Sequence, residues 1–209
     1  MAAAGAAALG PGALRAGQPW LEKRPADWTP EDTQAILSRS AWVREVPLEF
    51  DPGRPGTMTK KKSSIGHSTD FNIVVRWDSA LPVRMAQGIK SAAEDIPGRY
   101  VVTIGRVPLA FLGSYAGRRP GEEMSKAEVA GQLAASALIE RSGKGVTIRA
   151  EKAEWIISDL SQRVSILFAR HNPIELADGE VIIAGRMAAL TFKARFPLKP
   201  MVYRDKLEL

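Results

Sequence analysis

The stretch Leu190-Thr191-Phe192-Lys193-Ala194-Arg195-Phe196-Pro197-Leu198-Lys199 decides the fold class of this chain. Apolar side chains occupy every even-numbered position from Leu190 to Leu198, and mostly polar side chains occupy the odd-numbered ones. Successive side chains of a β-strand point to opposite faces of the sheet, so this alternation predicts a half-buried antiparallel strand. One of its faces would lie on a hydrophobic core, and the other would lie in solvent.

The surrounding sequence predicts further short strands that are separated by turns. Residues 71–77 alternate in the same way, and residues 100–107 form a second apolar run that ends at Pro108. Further strands are predicted over residues 137–141, 146–149, 153–157, 163–169, 181–184, 188–197 and 201–209. This pattern favours an α+β to mainly-β fold, an antiparallel sheet or β-sandwich with short packed helices. A parallel α/β fold would need regular alternation of strands with helices.

A short helix is predicted after Thr29. Thr29 can cap the helix, Pro30 is in its first position, and Asp32 stands where it can complete a capping box. This helix would end near residues 38–40. Two other helices are predicted over residues 83–94 and 124–135, and residues 113–123 are interpreted as a loop.

Composition divides the chain into four parts. Residues 1–25 are interpreted as a disordered tail or the remnant of a signal peptide, since their Ala- and Gly-rich start cannot bury enough apolar surface to fold. Residues 26–50 form a capping helix and arm, residues 51–70 a flexible loop rich in Pro, Gly, Ser and Lys, and residues 71–209 the β-rich domain. Whether the loop orders on binding stays open.

The chain ends in Lys206-Leu207-Glu208-Leu209, which is similar to the retrieval signal of the endoplasmic reticulum. That signal has Asp in the second of these positions, whereas this chain has Leu207. Arg204-Asp205 has the length of a two-residue hairpin loop between two short apolar runs. The tail is therefore predicted to be a closing hairpin of the fold.

The excess of positive charge suggests nucleic acid as a partner, but the distribution of that charge disfavours it. The chain has 29 Lys and Arg against 23 Asp and Glu, a formal net charge of +6. The cations are spread along the chain, and the only run, Lys60-Lys61-Lys62, has no aromatic residues interleaved for base stacking. A generally basic, soluble domain is therefore the preferred interpretation of the composition.

Three cations lie on the side of the 190–199 strand that is predicted to face solvent. Lys193, Arg195 and Lys199 would form a stripe, with neighbouring strand positions of one face about 6–7 Å apart. Together with Lys60, Lys61 and Lys62, they are the candidate surface for a polyanion or a protein partner. A solvated face, or protection of a strand edge against aggregation, remains the alternative interpretation.

No catalytic, metal-binding or cofactor-binding residue is predicted. Cysteine is absent, and His67 and His171 are far apart and have no metal-ligand spacing. The turn at residues 142–145 lacks the glycine and the hydroxyl residue of a phosphate-binding loop. No apolar run approaches the roughly 18 residues of a membrane-spanning helix. The sequence therefore leans towards a protein that is not an enzyme and needs no cofactor.

Three sets of residues carry a resemblance to a known family: Trp28-Thr29-Pro30-Glu31-Asp32 with Ile36-Leu37-Ser38 and Ser40-Ala41-Trp42; Arg76-Trp77-Asp78-Ser79-Ala80-Leu81-Pro82-Val83-Arg84; and Met201-Val202-Tyr203 with Lys206-Leu207-Glu208-Leu209. Together they resemble an uncharacterised family of small, exported proteins from Acidobacteria-type bacteria. The resemblance implies export across the inner membrane and supplies no catalytic or binding residues.

Two functional hypotheses follow. The first is a non-enzymatic extracytoplasmic domain, periplasmic or secreted, that binds a protein or an envelope component. The second is a cytoplasmic basic domain that binds nucleic acid or another polyanion, which stays open because residues 1–19 lack the basic and apolar regions of a signal peptide. The ligand and the oligomeric state stay open under both hypotheses.

Overall fold

Eight antiparallel strands form a closed barrel in the computed structural model, which describes residues 19–51, 68–88, 98–142, 145–158 and 161–209. The strands are β1 (Val43–Phe50), β2 (Ser68–Trp77), β3 (Arg99–Gly105), β4 (Leu138–Arg141), β5 (Val146–Ser158), β6 (Ser161–Ala169), β7 (Glu180–Met187) and β8 (Leu190–Pro197). Their order around the barrel is β1-β2-β3-β6-β5-β4-β7-β8, and β8 returns to pair with β1.

The expectation of an antiparallel, β-rich fold is confirmed, but the β-sandwich alternative is wrong. A sandwich has two sheets with free edges, whereas Glu49 pairs with Thr191 and Phe50 with Leu190 to close this sheet on itself. Alternation within one strand cannot separate the two architectures, because both place one face of every strand on the core.

Apolar side chains fill the inside of the barrel. The prediction for β8 is confirmed: its even-numbered residues from Leu190 to Phe196 are buried, whereas Lys193 and Arg195 are exposed. At the centre, the Trp77 ring contacts Tyr100 edge-on, with the ring centroids 5.6 Å apart, and Phe196 at 6.0 Å. The interior is therefore a packed core.

Four helices lie at the two ends of the barrel: α1 (Pro30–Arg39), α2 (Leu81–Ala86), α3 (Leu109–Tyr115) and α4 (Lys126–Ser136). Because neighbouring strands are antiparallel, the end of β3 and the start of β4 lie at the same end of the barrel, which we call the upper end. Helix α3 follows β3 and helix α4 precedes β4, so both helices adjoin the upper end. Helices α1 and α2 adjoin the start of β1 and the end of β2 at the lower end.

Several local predictions can be compared with the structure. Thr29 and Asp32 form the predicted capping box of α1. The two strands predicted over 146–149 and 153–157 are one strand, β5, with an irregularity between Ala150 and Lys152. The loop predicted over 113–123 begins later, because α3 extends to Tyr115. The barrel includes β1, which precedes the position where the sequence placed the start of the β-rich domain.

The predicted closing hairpin is confirmed. Strands β9 (Val202–Tyr203) and β10 (Lys206–Leu207) pair through the two-residue loop Arg204-Asp205. The tail packs against the lower end of the barrel, where the Trp42 indole N–H donates to the Glu208 carbonyl oxygen at 2.7 Å. Leu209 is buried.

Candidate anion-binding pocket

A pocket of about 420 Å³ lies on the outer wall of the barrel, where β2, β3 and β6 run side by side. Three arginines line it: Arg76 from β2, Arg163 from β6, and Arg106, which directly follows β3. Val74, Thr103, Gly105 and Gln162 complete the lining. Strand pairing brings these residues together, although they are up to 89 positions apart in the chain (163 minus 74).

Two rows of residues that cross the strands explain the shape of the pocket. In one row Val74 pairs with Gly105, and Gly105 pairs with Arg163. In the next row Arg76 pairs with Thr103, which pairs with Ser165. Residues directly opposite each other point to the same face, here the outer one. The small residues at the middle of each row leave a depression between longer arginine side chains.

Gly105 forms the floor of the pocket. A Cβ atom added there would meet only the Val74 Cβ at 4.0 Å, an ordinary contact, so the local packing does not demand a glycine. A glycine inside a strand weakens the strand and often marks a position that a ligand or another backbone approaches closely. The pocket gives Gly105 such a role.

Asp78 holds two of the arginines in place. Its carboxylate accepts from Arg76 Nε at 2.5 Å and from Arg76 Nη2 at 3.2 Å, and it lies 3.7 Å from Arg163 Nε. Arg76 Nη1 also donates to the Leu37 carbonyl oxygen at 3.4 Å. A guanidinium has five N–H groups, so Arg76 is oriented by three bonds and keeps two donors for another acceptor.

Arg106 reaches the pocket from a strained backbone position. Its φ of 57° lies in the left-handed region, which costs residues other than glycine about 1–2 kcal/mol. Its guanidinium is 3.2 Å from the Glu45 carboxylate, and its side chain is 65% exposed. Asp78 lies against Arg76 and Arg163 and Glu45 lies against Arg106, so the two carboxylates partly offset the charge of the three arginines.

The chemistry available in this pocket is anion binding. Arginine stays protonated at all ordinary pH values, so it can stabilise a negative charge but cannot act as a general base. Planar guanidinium groups suit carboxylate and phosphate oxygens, which they can bind through two parallel hydrogen bonds. Among the described residues, no group of three or more His, Asp or Glu side chains is placed to hold a metal ion.

The structure separates the site residues that were predicted from the sequence. Lys60, Lys61 and Lys62 lie outside the described residues. Lys193 and Arg195 share the outer face of β8, but Arg195 forms an ion pair with Glu180 at 3.0 Å. Lys199 belongs to a short 3-10 helix beyond the end of β8. The stripe is thus reduced to two neighbouring residues, one of which is already paired.

Sequence reasoning missed the three arginines of the pocket. The alternation of residues 71–77 places Arg76 on a polar face, which is the normal position of a solvated arginine. The decisive fact is the pairing of β3 with β6, whose residues at the pocket are about sixty positions apart, as Gly105 and Arg163 show. Single-strand periodicity carries no information about such pairing. The adjacent Gly105-Arg106, at the end of a predicted strand, was the one available signal.

No family model, no curated protein and no solved structure matches this chain. Within the described ranges, none of the helices has the length and apolar character that crossing a lipid bilayer requires. A functional assignment therefore depends on the geometry of the pocket.

Proposed function

We propose that this chain is a non-catalytic binding domain that holds an acidic group of its ligand in the outer-wall pocket. The observation that carries the proposal is the convergence of Arg76, Arg106 and Arg163 around the glycine floor. A glycine that packing does not require and an arginine held at a positive φ both reduce stability. Both features become useful if a ligand lies against them.

The electrostatics of the pocket support this function. The pair formed by Asp78 and Arg76 fixes one guanidinium before any ligand arrives, so little conformational entropy is lost on binding. Hydrogen bonds to charged groups contribute about 1.5–3 kcal/mol each, roughly twice the contribution of neutral ones. Two or three such bonds suffice for specific recognition of a carboxylate or phosphate.

We further propose that the protein binds its ligand outside the cytoplasm, which its resemblance in sequence to a family of exported proteins supports. Fractionation of cells that express the full-length protein tests it, with the envelope or secreted fraction as the expected place. Recovery with the cytoplasmic markers would contradict the location but leave the binding proposal intact.

The binding proposal is tested with benzoate and inorganic phosphate as probes, titrated into isotope-labelled protein and followed by NMR. The amide signals of residues 103–106 and 162–163 should shift most. Arg106→Gly should weaken binding about tenfold, which corresponds to the loss of one charge-assisted hydrogen bond. The free energy of unfolding of this variant should stay equal or rise by up to about 1 kcal/mol, because glycine relieves the strain at a positive φ.

Two further variants sharpen the test. Gly105→Val places a side chain on the floor of the pocket and should abolish probe binding while the protein stays folded. Arg195→Ala is the matched control, since it removes an exposed, paired arginine from another part of the barrel wall. If Arg195→Ala weakens binding while Arg106→Gly does not, the β8 surface is the anion site and the pocket proposal is wrong.

A further inference from the structure

The row of residues that forms the pocket floor continues onto a fourth strand and ends in an exposed isoleucine. Arg163 pairs with Ile156 of β5, so Val74, Gly105, Arg163 and Ile156 follow one another across four strands on the outer face. Ile156 is 36% exposed, so its apolar side chain is accessible on this face. On the other side, Val74 pairs with Glu45 of β1, so the row runs from a carboxylate at Glu45 to an apolar side chain at Ile156.

The volume of the pocket exceeds the needs of an acidic group alone. The pocket is an open depression, and its volume of about 420 Å³ lies within the roughly 300–1,000 Å³ of sites that bind small organic molecules. A carboxylate or phosphate bound to the arginines would fill only one part. The remainder adjoins the apolar side chain of Val74 and the bare backbone of Gly105. An apolar body attached to the acid fits that part.

An aliphatic ligand fits this site better than an extended peptide does. The strands β2, β3, β6 and β5 each have neighbours on both sides in the closed barrel, so the pocket offers no free strand edge to a peptide backbone. The three-carbon stems of arginine side chains are apolar and can lie along a hydrocarbon chain. A chain that crosses Gly105 towards Ile156 would pass beside the stem of Arg163.

Building on the proposed function, we infer that the ligand is an amphiphilic acid, a single carboxylate or phosphate carried on an aliphatic chain. The acidic group lies among Arg76, Arg106 and Arg163, and the chain lies across Gly105 between Val74 and Ile156. Affinity then has an electrostatic part, set by the head group, and an apolar part, set by chain length.

The test compares acetate, butyrate, hexanoate and octanoate by NMR titration, below the concentrations at which the longer acids form micelles. Affinity should rise about two- to fourfold for each added methylene, because a fully buried methylene adds about fourfold. Octanol, which lacks the charge, should bind at least tenfold more weakly than octanoate. Octyl phosphate identifies the preferred head group; chain-dependent binding of either acid supports the inference.

The chain offers a matched pair of variants for the apolar part. Ile156→Ser should lower the affinity for octanoate several-fold and leave acetate binding unchanged. Ile157→Ser is the control: Ile157 is more exposed, at 61%, but alternation along β5 turns it away from the face that carries Arg163. Neither variant should alter the melting temperature by more than a few degrees, since both side chains are exposed in the folded protein.

The outcomes separate this inference from the proposed function. Acids that bind with no dependence on chain length, but lose affinity in Arg106→Gly, would refute the aliphatic ligand and leave the anion pocket standing. Equal binding of octanol and octanoate, unaffected by Arg106→Gly, would refute both. An equal loss in Ile156→Ser and Ile157→Ser would also overturn the inference, because it would mean that the aliphatic chain does not follow the face that carries Arg163.

Discussion

Arg106 shows at the scale of one residue how a binding pocket can reduce stability. Its φ of 57° suits glycine, and a glycine at this position would leave the fold in place. The arginine instead brings a guanidinium to the mouth of the pocket, where it pairs with Glu45. Strain of this kind persists where the surrounding structure over-determines it, and such positions cluster at functional sites.

Glu208 provides a second residue whose local environment has a measurable consequence. Burial against the lower end of the barrel raises the pKa of this carboxyl above its ordinary value. The Leu81 N–H and the charges of Arg170, Lys206 and Arg84 oppose the shift. Below the ordinary value near 4.5 the carboxyl is protonated in both states and carries no penalty. As the pH rises through that value, the unfolded state ionises first, so the native state loses stability.

We therefore predict that Glu208→Gln stabilises the protein at pH 7 and has little effect at pH 3.5. Glutamine keeps an oxygen that accepts from the Leu81 N–H but never ionises. Urea unfolding of both proteins at the two pH values measures the difference. A variant that is less stable than the parent at pH 7 would show that attraction to the surrounding cations outweighs burial.

Individual residues also show which features of the structure could be predicted from the sequence and which could not. The roles of Thr29 and Asp32 followed from short-range spacing, which a capping box fully defines. The burial of the even-numbered residues of β8 followed from periodicity. The pocket depends on Arg76, Arg106 and Arg163 meeting across strands that are distant in sequence. No local pattern encodes that meeting.

At the scale of elements, the hairpin of β9 and β10 illustrates a turn built from unfavourable residues. Arg204 and Asp205 have φ values of 50° and 62°, a conformation for which Asn-Gly is preferred. The pairing of Val202 with Leu207 and of Tyr203 with Lys206 sets the length of this loop at two residues. The strands thus impose a backbone geometry that the loop residues do not favour.

We predict that Asp205→Gly raises the free energy of unfolding by about 0.5–1 kcal/mol, because glycine adopts the positive φ without strain. Gly179→Ala is the control for which the opposite change in stability is expected. Gly179 has a φ of 72°, and an added Cβ would meet no atom within 4 Å, so alanine there should cost more than about 1 kcal/mol through backbone strain alone. Equilibrium unfolding in urea measures both. The same sign of change in the two variants would contradict the explanation.

Elements that interrupt a regular pattern were the hardest to predict. In β1, Pro47 lies inside the strand and the register shifts between Pro47 and Glu49, which breaks the period of two. Pro47 is tolerated where β1 pairs with β2 alone, since β8 joins only at Glu49 and Phe50. Helix α3 has seven residues and no side-chain cap, so it lacked a start signal.

Closure of the barrel belongs to the scale of the whole molecule, and no element predicts it alone. Two residue pairs join β1 to β8, and the Arg44 guanidinium extends the connection by donating to the Arg195 carbonyl oxygen at 3.0 Å. Burial lowers the pKa of Arg44, whose guanidinium also stacks over the Phe196 ring at 5.1 Å. A cation thus covers the side where the first and last strands of the barrel diverge.

A buried ion pair completes the lower end of the barrel. Arg141, at the end of β4, and Asp178, in the connection before β7, lie 2.7 Å apart with both side chains fully buried. Asp178 also accepts from the Glu175 N–H at 2.9 Å. Removing one partner from a buried pair leaves an uncompensated charge and costs about 3–5 kcal/mol. Apolar replacement of both partners is often neutral, because the cost of desolvating the charges disappears with them.

The last prediction follows from this asymmetry. Asp178→Asn keeps the shape of the side chain and its bond to Glu175, but it should destabilise the protein by about 3–5 kcal/mol because Arg141 remains charged and buried. Adding Arg141→Met should recover most of that loss. Denaturant unfolding of the parent, both single variants and the double variant gives the coupling energy directly. A double variant as unstable as the sum of its single variants would mean that the two side chains stabilise the barrel end independently. In that case the ion pair would not be the interaction that holds the segment around Asp178 against β4.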